Sequence, residues 1–281
     1  MIFSAVGCSP EPKTPVDVII ISGQSNAVGC TNSNCLDIDA YYKYKDGFPN
    51  IKIAFDCWTK DFNPTRFYSQ NTSVDNNFVN VKLGQGNGPG TFGPEIGIAE
   101  TLNEKCANKL YLIKYACGAS NLKDDWTTRQ SPMYGRFIKY VKNQIENLRN
   151  RGFRPVIKAF CWMQGEGDSY DGYHQVYYSN LKEFVTNVRA DLKDVSNAKV
   201  IPFIDAGISN ASPWEYYREV NNAKKQFADE DENNFFIDTI AAGLHTNLEP
   251  ASNPDLCHYD TESQIQLGKL FAETFEQFLL K

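Results

Sequence analysis

Residues Val18–Ile21 form an unbroken apolar stretch that ends abruptly at Ser22-Gly23-Gln24-Ser25-Asn26. Continuous rather than alternating hydrophobicity suits a parallel strand covered on both faces. Similar apolar runs occupy Val16–Ile21, Ile51–Phe55, Leu110–Ala116, Val156–Trp162, Val200–Ile204 and Phe235–Ile237. Helical periodicity separates most of them, at Pro94–Lys105, Tyr134–Arg151, Tyr173–Leu192, Trp214–Asp229 and Thr261–Leu280. This alternation predicts an α/β protein, a three-layer α/β/α sandwich around a central parallel sheet. Ligands of such sheets bind beyond the carboxyl ends of the strands. A serine delivered there by a sharp turn is well placed as a nucleophile, and Ser25 is that residue. The spacing is not G-x-S-x-G, so the common α/β-hydrolase elbow does not apply.

At 281 residues, with 42% hydrophobic and 22% charged residues, the chain suits one large domain over residues 16–281. A net charge of −6 argues against a nucleic-acid partner, which would want a basic face. No apolar stretch reaches the roughly 20 residues that span a bilayer. Residues 1–15 read as a signal remnant or tether, in which Ala5-Val6-Gly7-Cys8 resembles the end of a bacterial lipoprotein signal with a lipid anchor at Cys8. The match is either accidental or marks a chain that begins inside a longer precursor. Eight cysteines favour an oxidising compartment, hence a secreted, periplasmic or cell-surface protein. Cys30 and Cys35 could close a small disulfide, whereas Cys117 and Cys161 sit in apolar runs and read as buried side chains. With no C-x-x-C and no H-E-x-x-H, the sequence suggests neither a metal nor a cofactor.

A serine hydroxyl needs a base, and three histidines are available. His174 opens a helical pattern between tyrosines and suits packing or the surface. His245 lies in a polar loop. His258 follows Asp255 by three residues, so one short turn could present both side chains to Ser25. A neutral imidazole is the competent base, which predicts a rate that rises with pH through about 6 to 7. Stabilising the oxyanion calls for close-approaching donors; the Ser25 and Gly118 N–H groups fit. Gln24 and Asn26 flank the nucleophile and suit bracing of its turn. The long connection from Ile51–Phe55 to Pro94 is expected to shape one wall of the site.

Gly23-Gln24-Ser25-Asn26, Gly93-Pro94-Glu95, Tyr115-Ala116-Cys117-Gly118, Trp162-Met163-Gln164-Gly165-Glu166 and Asp255-x-x-His258, in that order, resemble the SGNH-type hydrolases. The likeness is to carbohydrate esterase family 6 and the sialate O-acetylesterase-like group, and it spans about residues 17 to 275. It implies a flavodoxin-like sheet, no cofactor, and removal of acetyl groups from sugar hydroxyls. The wider group uses the Asp255 position to orient the histidine, while the Gln-Gly-Glu signature brings Glu166 forward for the same role; both stay open. The same resemblance makes Gln164 the side-chain oxyanion donor. The expected substrate is acetylated carbohydrate, acetylxylan first and O-acetylated sialic acid as the alternative. A carbohydrate-binding domain without activity is the rival of another class. Sialate would want a cation for its carboxylate, for which Lys123 and Arg129 are available. Trp58, Phe92, Trp126, Trp162 and Tyr170 are the aromatics nearest the predicted site loops, and some of them must be core.

Overall fold

The computed structural model describes residues 13–61, 66–106, 108–246 and 248–279. Cys8 and most of the expected tether lie outside the described residues. Strand β1 (Thr14–Gly23) is the middle of the sheet, with β7 (Lys109–Gly118) and β8 (Phe153–Met163) parallel on its two sides. Beyond β7 lies β3 (Phe48–Lys60); beyond β8 lie β9 (Phe203–Ala206) and β10 (Asn234–Ile237), all parallel. The order β10-β9-β8-β1-β7-β3 makes β1 the point where the winding reverses. A crevice forms at the carboxyl end of such a strand.

The sheet is not purely parallel. β4 (Phe67–Thr72) and β5 (Val79–Val81) pair antiparallel with β3. β4 is largely exposed and β5 is only three residues long, so neither carries the apolar run by which the parallel strands are recognised. β2 (Thr31–Asn32) and β6 (Thr91–Phe92) form a separate two-stranded ladder. Every predicted strand is present, although Val200–Ile204 shifts to β9 because Pro202 precedes it.

Helices flank the sheet. α5 (Pro132–Asn150) packs on β7 and β8 beside α6 (Tyr177–Ser196), and α7 (Tyr217–Ala228) follows α6. α3 (Glu95–Leu102) packs closely on α8 (Thr261–Leu279), where a Cβ built on Gly97 would fall 2.0 Å from the Ile265 carbonyl oxygen. α1 (Ser25–Val28), α2 (Ile38–Lys45) and α4 (Leu122–Asp125) are shorter. Among the described residues no helix is long and apolar enough to cross a membrane.

The core on one side is aromatic: Trp126 and Trp162 meet edge to face at 5.4 Å, and Trp162 lies 4.6 Å from Phe184. Burying rings of this size contributes on the order of 2–3 kcal/mol each. Trp126, Trp162 and Phe92 are therefore core residues, fully buried, and not site aromatics. Lys114, in the middle of β7, is buried without exposure and needs a partner. Glu95 supplies it at 2.8 Å, and the same ammonium donates to the Val28 carbonyl at 3.0 Å. The Gly93-Pro94-Glu95 motif thus holds the end of the helix that starts at Ser25.

No disulfide joins Cys30 and Cys35; both are free thiols, and Cys30 is hydrogen-bonded to His258 instead.

Candidate active site

β1 ends at Gly23, whose φ of +138° and close approach to the Met163 carbonyl exclude a side chain. That turn drops the chain directly into α1 and sets Ser25, half-buried, at the carboxyl edge of the central strand. Gly118 ends the neighbouring strand so close that a Cβ built on it would lie 3.8 Å from the Ser25 Cβ. Ala119 follows in the left-handed region at φ +57°, a conformation that tends to mark functional turns. Ser120 secures this turn by donating to the Cys117 carbonyl and accepting from the Trp126 indole.

The histidine loop arrives from the opposite end of the sequence. Asp255 Oδ2 lies 2.7 Å from His258 Nδ1, and its Oδ1 accepts the N–H groups of Cys257 and His258. One carboxylate therefore fixes both the turn and the ring, which is why the D-x-x-H spacing works. These bonds hold Asp255 down at about 2. For His258, burial acts to lower the pKa, but the bonds to Asp255 and Cys30 outweigh it and raise the imidazole well above its ordinary value. If His258 is the base, the rate limb expected near pH 6 to 7 belongs at higher pH.

A cavity of about 620 Å³ is lined by both Ser25 and His258, with Gly118, Cys30 and Cys257. Ser25 and His258 are not hydrogen-bonded to each other in this structure. Free enzymes commonly leave this contact long until substrate closes around it. The other histidines lie elsewhere: His245 pairs with Asp260 at 2.8 Å, and His174 stacks on Tyr216 at 3.8 Å.

Glu166 is brought to the site but not to the imidazole. Its Oε1 accepts from Asn26 Nδ2 at 2.7 Å, its Oε2 is buried without a partner, and burial raises its pKa. Asn26 Oδ1 in turn accepts the Tyr259 N–H. Gln24 braces the other side: its Oε1 accepts from Gly165 N–H, Gly167 N–H and Gln164 Nε2. Gln164 departs from expectation. It is fully buried and does not line the cavity; its amide donates to Asp168 at 2.6 Å and to Gln24 at 3.2 Å. With the group's two hydrogens directed there, it has no donor left for an oxyanion.

Several lining residues went unrecognised in the sequence. Asn87 and Thr59 come from the long connection expected to form a wall, and Asn121 from the loop after Gly118. Tyr173 and Trp214 join the expected Tyr170. Both open periodic patterns that predict helices from these residues onward. α6 and α7 start later, at Tyr177 and Tyr217, which frees the two aromatics for the cavity. Trp58 lies outside this wall, under the guanidinium of Arg136 at 4.8 Å.

A comparison with curated proteins found no match. Among solved structures, the chain is similar to a protein from Arabidopsis thaliana (22% identity, 95% of this chain and 100% of the other, TM-score 0.64). It is also similar to NanS (15% identity, 95% and 98%, TM-score 0.65) and to a carbohydrate acetylesterase from Xanthomonas citri (14%, 94% and 56%, TM-score 0.60). At these identities the likeness establishes the fold. The family described as carbohydrate esterase, sialic acid-specific acetylesterase matches residues 15–277, nearly the whole chain. The chain belongs to that family of carbohydrate esterases.

Proposed function

We propose that the protein is a serine carbohydrate O-acetylesterase in which Ser25 carries the acetyl group. The observation behind this reading is one cavity that joins Ser25, Gly118 and an imidazole already bound to Asp255. In the proposed reaction the Ser25 oxygen attacks the acetyl carbonyl while His258 Nε2 takes the hydroxyl proton. The same proton passes to the departing sugar oxygen, leaving an acetyl-serine. Water, activated by His258, then releases acetate and restores the hydroxyl.

Asp255 is assigned as the carboxylate that holds Nδ1–H and stabilises the imidazolium. Glu166 is assigned to positioning Asn26. For the oxyanion, the Ser25 and Gly118 N–H groups remain the proposed backbone donors. Asn87 replaces Gln164 as the proposed side-chain donor, since Asn87 lines the cavity and Gln164 does not.

Tyr170, Tyr173 and Trp214 offer ring faces for a sugar. Acetylated xylan is the proposed polymer, and O-acetylated sialic acid is the second reading, favoured by the description of the family. The test is acetate release from a panel of acetylated xylan, acetylated xylo-oligosaccharides and O-acetylated sialic acids. Release from any of them that disappears in Ser25→Ala supports the esterase reading. Release that persists in Ser25→Ala refutes it.

A further inference from the structure

We infer that the site selects uncharged acetylated sugars, and that Asp171 is the residue that disfavours a sugar bearing a carboxylate. The inference rests on the esterase reading above and adds a charge rule to it. Among the described residues of the cavity wall, Asp171 is the one Asp, Glu, Lys or Arg side chain; His258 is already paired with Asp255. Asp171 stands between Tyr170 and Tyr173, in the left-handed region at φ +53° and followed by Gly172 at φ +73°. The turn places this exposed aspartate in the cavity wall between two of the residues whose rings are proposed to receive the sugar.

The surroundings reinforce its sign. Asp168 and Glu166 lie buried behind the wall. Tyr170 is pushed up to about 12, by burial first and then by Glu166, Cys257, Asp168 and Asp171. Tyr173 is raised chiefly by Asp124, with Asp171 and Asp168 adding to it. In both phenols Asp171 and Asp168 add to the rise, behind burial for Tyr170 and behind Asp124 for Tyr173.

Two of the cations that could answer a carboxylate are paired with aspartates. Arg129 grips Asp191 at 2.9 Å, and Lys60 grips Asp125 at 2.7 Å. Lys123 is the nearest rival; its ammonium sits 4.0 Å over the Tyr173 ring, and the residue is outside the cavity wall. Recognition of a carboxylate is strongest with a fork of donors, and here the approaching group would meet a like charge instead. Such juxtaposition is a common means of rejecting a wrong ligand.

The experiment uses matched pairs that differ only in charge: an O-acetylated sialic acid and its methyl ester, and an O-acetylated methyl glucuronoside and its methyl ester. Acetate release gives kcat/KM for each, with 4-nitrophenyl acetate as the control for esterase activity. The expected ratio of ester to free acid is about 5-fold to 50-fold, the range for like charges a few ångströms apart at a half-solvated site. Asp171→Asn should bring that ratio towards one; asparagine tolerates the left-handed backbone. Because the ratio is taken within each protein, a general loss of activity cancels. Free acids cleaved as fast as their methyl esters, or a ratio unchanged in Asp171→Asn, would overturn the charge rule. So would aryl acetate turnover with no turnover of either methyl ester. A Lys123→Ala variant that selectively loses the free acids would overturn it too, by showing a carboxylate receptor. If the wild-type protein fails to cleave 4-nitrophenyl acetate or any acetylated sugar, the esterase reading fails and the charge rule with it.

Discussion

The Asn26 side chain accepts the Tyr259 N–H at 3.1 Å, tying the residue after Ser25 to the residue after His258. Its amide also donates to the buried Glu166, so three distant segments meet at one carboxamide. In the proposed mechanism this link, with no direct bond between Ser25 and His258, holds nucleophile and base in register. Asn26→Ala should therefore lower kcat by about 100-fold, the scale of a small misplacement of reacting groups. KM should change far less.

Glu166→Gln keeps an oxygen that can accept from Asn26 and removes a buried carboxylate with an unpartnered oxygen. It should cost less than about 10-fold in kcat and leave the melting temperature unchanged or higher. Glu166→Ala, which removes the acceptor, should cost more in both readouts. A loss of several orders of magnitude in a folded Glu166→Gln would make Glu166 the carboxylate partner of His258.

The raised pKa of His258 predicts that the acidic limb of kcat/KM lies above the ordinary imidazole value of 6.5. Asp255→Asn should move that limb down and lower kcat on the order of 10³- to 10⁴-fold. The stability consequence has two signs. Asp255, held at about 2 from a usual 3.8, stabilises the fold above pH 3.8 and loses that contribution as pH falls towards 2. His258, raised when folded, contributes below its unfolded value of 6.5 and loses this as pH rises through its folded one. Thermal melts of the wild type and Asp255→Asn across pH should show both differences shrink in the variant.

Gln164 and Asn87 carry opposite expectations. Asn87→Ala should reduce kcat by about 100-fold with little change in stability, as loss of one oxyanion donor does. Gln164→Ala removes one of the three donors to the buried Asp168 and one of the three to Gln24 Oε1, while the Tyr177 hydroxyl keeps the residue 164 carbonyl, so its damage should appear in the melting temperature. Denaturant titration beside steady-state kinetics separates the two.

Glu95→Ala would leave Lys114 charged and uncompensated in the core. The expected loss is about 3–5 kcal/mol in unfolding free energy. Replacing both residues with apolar ones of similar volume should recover most of it, read from the midpoint of urea unfolding.

The parallel core was legible because its strands are buried on both faces and carry unbroken apolar runs. The exposed β4 and the three-residue β5 carry no comparable pattern. Asp255 and His258 were legible for a local reason, since three residues of spacing let one carboxylate hold turn and ring. Glu166 and Gln164 were ambiguous because sequence gives the type of a polar group, but not which atoms it faces after burial. Tyr173 and Trp214 were hidden by helix boundaries: aromatic residues at the start of a periodic pattern look like its first turn. Asn87 had no local mark at all. It reaches the site because its N–H bonds the Gly29 carbonyl, 58 residues earlier in the chain.

The most direct test is covalent labelling with a fluorophosphonate, followed by peptide mapping, in the wild type, Ser25→Ala and His258→Ala. The expected result is a single label on Ser25, none on Ser25→Ala, and slow labelling of His258→Ala, with acetate release lost in parallel. A label on any other serine, or acetylesterase activity retained by Ser25→Ala, would contradict it.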